Sequence, residues 1–112
     1  MNFDKNQINK ITRPWGYEGT IISTQHYSTR VLVVKENEKT PYLYFKKRDR
    51  TIYVLQGIVH LTLEGTGKTL NEGDRYHIRP KVMSRITALK GDATIIETGT
   101  YLEDEDIIVV EK

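Results

Sequence analysis

Short runs rich in Val, Ile, Thr and Tyr recur along the whole chain, each closed by turn residues, and no apolar stripe repeats at the spacing of a long amphipathic helix. TIIST (20–24), RVLVVK (30–35), YLYFK (42–46), TIYVLQ (51–56) and VHLTL (59–63) read as strands. So do RYHIR (75–79), SRITAL (84–89), ATIIET (93–98) and DIIVVE (106–111). ENEK, KRD, EGTGK, NEGD and LKGD separate them, and their Gly, Asn and Asp residues supply the backbone freedom that tight reversals need. Many short strands at this spacing predict an all-β domain, a closed antiparallel barrel or a sandwich. Residues 1–12, rich in Asn and Lys, are expected to form a loose arm or short edge strand ahead of a barrel spanning 13–112.

A chain of 112 residues fits one domain and can bury a core of its own, so no disulfide or structural metal is needed to fold it. The absence of cysteine excludes thiol catalysis, zinc-thiolate sites and disulfide scaffolds. No run of about 18 apolar residues exists, and the first ten residues lack the apolar centre of a secretory signal. The expectation is a soluble cytoplasmic protein that does not engage a membrane. The net charge of +2 is spread unevenly: KKRDR (46–50) is basic, while LEDEDII (102–108) is acidic. So narrow a basic stretch, interrupted by acids, does not predict a surface for extended nucleic acid.

Strand alternation assigns faces. Val59, Leu61 and Leu63 share one face of VHLTL, with His60 and Thr62 on the other. Ile52 and Val54 share a face with Arg50, and Leu43 with Phe45. A guanidinium on an apolar inner face is costly unless it meets an anion or a carboxylate, which makes Arg50 the anomalous residue of the chain.

Four fragments, in order, carry a family resemblance. RPWGYE (13–18) is similar to the opening of cupin domains of the type II mannose-6-phosphate isomerase kind. VKENEKTPYLYFKKRDRTIYVLQG (34–57) resembles their first motif, with its glycine at Gly57, its aliphatic residue at Val54 and its arginine at Arg48. NEGDRYHIRP (71–80) resembles the second motif, and GTYLEDEDIIVVE (99–111) the closing segment. The resemblance implies a single-domain jelly-roll β-barrel, the double-stranded β-helix. It also implies where metal ligands would stand. The family's glutamine, histidine and glutamate fall on Leu43, Phe45 and Arg50, and its second-motif histidine on Ser84, or on Arg85 if the loop after Pro80 is one residue longer. Leucine and phenylalanine have no donor atom, and a guanidinium does not give up a proton to become one. The three histidines, His26, His60 and His77, show no ligand spacing. The expectation is therefore no metal and no cofactor.

Guanidinium forks suit phosphate or carboxylate oxygens. Arg48 and Arg50 flank one turn, and Arg85 is expected on the wall opposite them. Phe45, Tyr44, Tyr53, Tyr76 and Trp15 offer flat apolar surface nearby. The expected ligand site thus comprises Arg48, Arg50, Phe45, Tyr76, Ser84 and Arg85. Its expected partner is an anionic small molecule: a sugar phosphate, a nucleotide sugar or a nucleotide, held without catalysis and in one version sequestered as a signal. Alternatives remain open. Arg50 can pair internally with Glu97 or with an acid of 103–106, and Leu43 and Phe45 can plug the barrel. A metal-independent sugar isomerase or epimerase would use His60 with Tyr53 or Tyr76, although strand parity turns His60 outward. Apolar alternation on more than one face predicts a two-fold homodimer.

Overall fold

A computed structural model describes residues 9–112. Eleven strands lie among them: β1 (Asn9–Arg13), β2 (Gly16–Ser23), β3 (Tyr27–Val34), β4 (Tyr42–Phe45), β5 (Arg50–Gln56), β6 (Val59–Leu63), β7 (Thr66–Leu70), β8 (Arg75–Ile78), β9 (Ser84–Ala88), β10 (Ala93–Thr100) and β11 (Ile107–Glu111). A single 3-10 turn, Asp104–Asp106, leads into β11. Hydrogen bonding arranges the strands in two antiparallel sheets, ordered β1-β2-β3-β10-β5-β8 and β11-β4-β9-β6-β7. The expected jelly roll is what forms; of the two alternatives, barrel or sandwich, its ladders make two sheets and not one closed ring. Among the described residues no helix is long and apolar enough to cross a membrane.

The nine runs expected as strands are strands, with ends shifted by a few residues. EGTGK (64–68) is expected as a turn, but its last three residues open β7 (Thr66–Leu70). Its side chains are exposed except for Leu70, so it shows no apolar alternation. Backbone pairing to β6 makes it a strand: Leu63 faces Thr66 across a two-residue turn in which Glu64 (φ 42°) and Gly65 (φ 88°) both take positive φ. Two positive-φ residues give the reversal whose twist matches a hairpin. At the other end, β1 pairs with β2 from Asn9↔Thr20 to Arg13↔Gly16 and forms the sheet edge. The remainder of the expected arm, residues 1–8, lies outside the described residues.

Both sheets turn apolar faces inward. Leu32, Val34, Ile52, Val54, Ala93 and Ile95 come from one, and Val59, Leu61, Ile86 and Ala88 from the other. Full burial of an Ile, Leu or Val side chain contributes about 1.5–3 kcal/mol, so this layer is the main source of stability. The core fills one end of the sandwich. Toward the other end the inward positions of β3, β5 and β10 change from apolar to charged, at Arg30, Arg50 and Glu97.

Gly57 closes β5 with φ 92°, and a Cβ there would lie 2.8 Å from the Asp92 carbonyl oxygen and 2.9 Å from the Ala93 Cα. Gly57→Ala should therefore combine backbone strain with a clash against backbone that cannot move aside, lowering stability by about 2 kcal/mol or more in urea denaturation. An unchanged midpoint would show that the β5–β6 connection does not constrain the sheets.

Candidate functional site

The charged end of the sandwich is organised by one carboxylate. Glu97 lies on β10, at the centre of its sheet, and is fully buried. Its register partner on β3 is Arg30, which grips it in a two-bond fork: Nε donates to Oε1 and Nη2 to Oε2, each at 2.9 Å. On the other flank, β5 brings Arg50, whose Nη1 donates to Oε2 at 2.8 Å. Arg48, from the β4–β5 turn, donates through Nη2 to Oε1 at 2.8 Å. Arg48 also donates through Nη1 to the Ser28 hydroxyl and the Thr100 carbonyl, while its Nε is buried with no partner among the described residues.

Three guanidiniums around one buried carboxylate set its ionisation. Burial alone would push the Glu97 carboxyl up, but Arg30, Arg50 and Arg48 outweigh it and hold the group far below the usual carboxylate range. The Arg30 guanidinium, lowered by burial, is carried above its ordinary value by Glu97 and Glu18. Arg48 ends lowered, because burial and its two cationic neighbours exceed what Glu97 returns.

Beside this cluster, between the sheets, is a cavity of about 490 Å³. Arg13, Glu18, Arg30, Arg50 and Ser84 form its polar end. Trp15, Leu32, Leu43, Phe45, Ile86 and Ile107 form its apolar walls. The Arg50 guanidinium lies over the Phe45 ring, 4.7 Å from its centroid, and its Nη2 donates to Ser84 Oγ at 2.7 Å. Leu43 and Phe45 line the cavity without filling it, so the plugged barrel is not what forms.

Of the residues expected at a ligand site, Phe45, Arg50 and Ser84 are brought together here. Arg48 is behind Glu97 and does not line the cavity. Arg85 is a correction: β9 points Ser84 and Ile86 inward, so Arg85 projects to the outer face, donating to the Thr40 carbonyl and to Glu111. The loop after Pro80 thus sets the register at Ser84, opposite Leu43. Tyr76 is a second correction, because it packs at the edge of the core and lines a separate cleft with His77, Arg79 and Val82. Tyr53 faces outward, as strand parity requires for a residue between Ile52 and Val54. The sequence reading passed over Arg30, Arg13 and Glu18. Arg30 stands two residues from Leu32 and four from Val34, the same offset that links Arg50 to Ile52 and Val54, but Val31 and Val33 make the run apolar on both faces and mask it.

None of the three histidines lines the cavity. His60 lies against Gly67 on the outer face, His77 pairs with Asp49, and His26 is exposed beside β3. A histidine base paired with a tyrosine is therefore not assembled there. Nor do the side chains fit a divalent cation at the implied ligand positions. Leu43 and Phe45 have no donor, Arg50 is a cation, and the Ser84 oxygen already accepts from Arg50. Among the described residues no group of three or more His, Cys, Asp or Glu could hold a metal.

The two-sheet architecture with a cavity between its faces is that of a cupin. The solved structure of KdgF from Halomonas sp. superposes with a TM-score of 0.80 at 20% identity, covering 94% of this chain and 96% of that one. An RmlC-like cupin from Shewanella frigidimarina superposes at 0.78 with 16% identity, covering 94% and 93%. Residues 2–112 match the family described as mannose-6-phosphate isomerase C-terminal, and the chain belongs to that family. The mannose-1-phosphate guanylyltransferase RfbM of Salmonella typhimurium is 30% identical over 111 residues, which are 95% of this chain and 23% of that protein. The chain thus spans about a quarter of that relative's length.

Glu97→Gln would leave three buried guanidiniums facing one another around a neutral amide. Removing one partner of a buried ion pair typically costs about 3–5 kcal/mol, and urea denaturation at neutral pH should show a loss of at least that size. The pH dependence has a definite sign. The folded carboxyl titrates below its unfolded value, so its contribution is complete above the ordinary carboxylate pKa and is lost as pH falls toward the folded one. The stability gap between wild type and Glu97→Gln should stay constant from pH 8 to about 5 and narrow only in stronger acid. A gap that narrowed near neutrality would contradict this assignment.

Proposed function

We propose that this domain is a metal-free, non-catalytic binding module whose cavity takes a phosphorylated small molecule: a sugar phosphate, a nucleotide sugar or a nucleotide. The observation that carries the reading is the Arg50 guanidinium. It is 5% exposed, lines the cavity, and among the described residues commits bonds to Glu97 and Ser84 only, so N–H groups remain for a guest. A guanidinium presents five N–H donors, and charge-assisted bonds to phosphate oxygen are among the strongest available in a partly dry site. The apolar walls suit the body of a sugar or base, and about 490 Å³ is within the range of small-molecule sites. Family membership agrees with a sugar-phosphate ligand, since RfbM is by name an enzyme of mannose 1-phosphate. Sequestration of a nucleotide signal is one form this capture would take. The isomerase alternative lacks a histidine at the cavity and is not favoured.

Calorimetry against mannose 1-phosphate, mannose 6-phosphate, a guanosine-diphosphate sugar and guanosine monophosphate tests the proposal. At least one should bind, and Arg50→Gln should weaken it by about tenfold or more, the equivalent of one charge-assisted hydrogen bond. Failure of all four, or equal binding by the variant, would count against it.

We also propose a homodimer formed through the outer face of the six-stranded sheet. There Tyr53 is the cross-strand neighbour of Ile96 and is 38% exposed. Light scattering should report twice the chain mass of 13.0 kDa, and Tyr53→Lys should halve the particle. A monomer at all concentrations rules the dimer out.

A further inference from the structure

We infer that Glu18 sets the charge selectivity of the cavity, its carboxylate competing with an anionic guest for the N–H groups of Arg13 and Arg30. This rests on the reading of the cavity as an anion site and deepens it. Two carboxylates meet the arginines of the charged end, and they are held differently. Glu97 is fully buried and takes bonds of 2.8–2.9 Å from three guanidiniums. It is a fixed counter-ion. Glu18 is opposite Leu32 in the β2–β3 ladder, which puts it on the inner face, where it lines the cavity with 16% of its side chain exposed. Its Oε1 accepts from Arg30 Nη1 and from Arg13 Nη2, both at 3.3 Å. Those distances exceed the 2.7–2.9 Å of a well-made charge-assisted bond.

The division of labour within Arg30 matters. Its Nε and Nη2 are committed to Glu97, leaving Nη1 as the edge turned to the cavity, and Glu18 engages that edge. Arg13 is 44% exposed and can swing with whichever acceptor is present. A phosphate oxygen drawn to Arg50 therefore meets Glu18 as a competitor for Arg30 Nη1 and Arg13 Nη2. While Glu18 stays ionised and near, it also repels the guest. The ligand that succeeds is one whose charge outbids a single, loosely held carboxylate, which favours a phosphate or diphosphate over a carboxylate.

The test is calorimetric titration of the full chain with inorganic pyrophosphate and with mannose 6-phosphate, comparing wild type, Glu18→Gln and Glu18→Asp. The glutamine keeps an acceptor oxygen for Arg13 and Arg30 and removes only the charge, so the fold, followed by its melting temperature, should be retained. Both probes should bind Glu18→Gln about tenfold more tightly than wild type, while Glu18→Asp, which keeps the charge, should gain nothing. Unchanged or weaker binding by Glu18→Gln would overturn the inference, the latter because Glu18 would then be accepting a hydroxyl of the guest. Equal gains for Gln and Asp would overturn it too, since loosened packing and not charge would be responsible. If Arg50→Gln abolishes binding while Glu18→Gln matches wild type, the anion site stands and the competition falls. If no variant and no wild-type protein binds either probe, both fall together.

Discussion

One carboxylate, Glu97, makes the charged end of this sandwich possible. Guanidinium groups removed from water are tolerated only when paired, and here three approach within bonding distance of the same two oxygens. The consequence is topological as well as energetic. Arg30 comes from β3, Arg50 from β5, Arg48 from the turn before β5, and Glu97 from the strand between β3 and β5. A second acid extends the tie: Asp106 is buried, and its two oxygens accept the backbone N–H groups of Lys47 and Arg48 at 2.9 Å each. The 3-10 turn that launches β11 is thereby fastened to the turn that presents Arg48. Both sheets are therefore locked together at the end of the molecule where the apolar layer gives out.

The strands were legible because β-branched runs and turn residues alternate along the sequence, and parity carried much of the rest. Arg50 was marked as inward by its step of two from Ile52 and Val54, and it is inward. Parity failed where both faces are apolar. Val31 and Val33 are as buried as their inward neighbours, so RVLVVK shows no alternation, and Arg30 at its start went unread. It also failed where neither face is apolar, as in β7, which is a strand by virtue of its hairpin partner. The placement of Arg85 turned on one residue of loop length after Pro80, a quantity that periodicity does not contain. Glu18 and Arg13 were hidden for another reason. They sit in a segment, RPWGYE, that suggested a family before it suggested chemistry, and the bond from Arg30 to Glu18 joins strand positions 12 residues apart.

The sequence left two uses for Arg50 as alternatives, an internal pair with Glu97 or contact with a guest. A guanidinium is not restricted to one of them. Its five N–H groups diverge in a plane, so Nη1 serves Glu97 and Nη2 serves Ser84 while the face of the group rests on Phe45. The ion pair holds the fork rigid, and a rigid donor loses less freedom when a ligand arrives. Structural pairing and an unspent donor edge are then two results of one geometry.

The chemistry of such a cavity differs in kind from that of a metal pocket built from histidine and carboxylate. A bound cation can be lost or exchanged, and imidazole ligands change protonation near neutral pH. Here the positive charge belongs to side chains covalently part of the fold, and their central counter-ion remains ionised far below the usual carboxylate range. Guanidinium groups stay protonated at any pH at which proteins fold. The electrostatic field that these side chains supply at the apolar walls is therefore set by the sequence and by the neighbouring acids. Of the two acids that meet the arginines there, Glu97 is fixed by burial and by bonds of 2.9 Å or less, whereas Glu18 is held only by bonds of 3.3 Å.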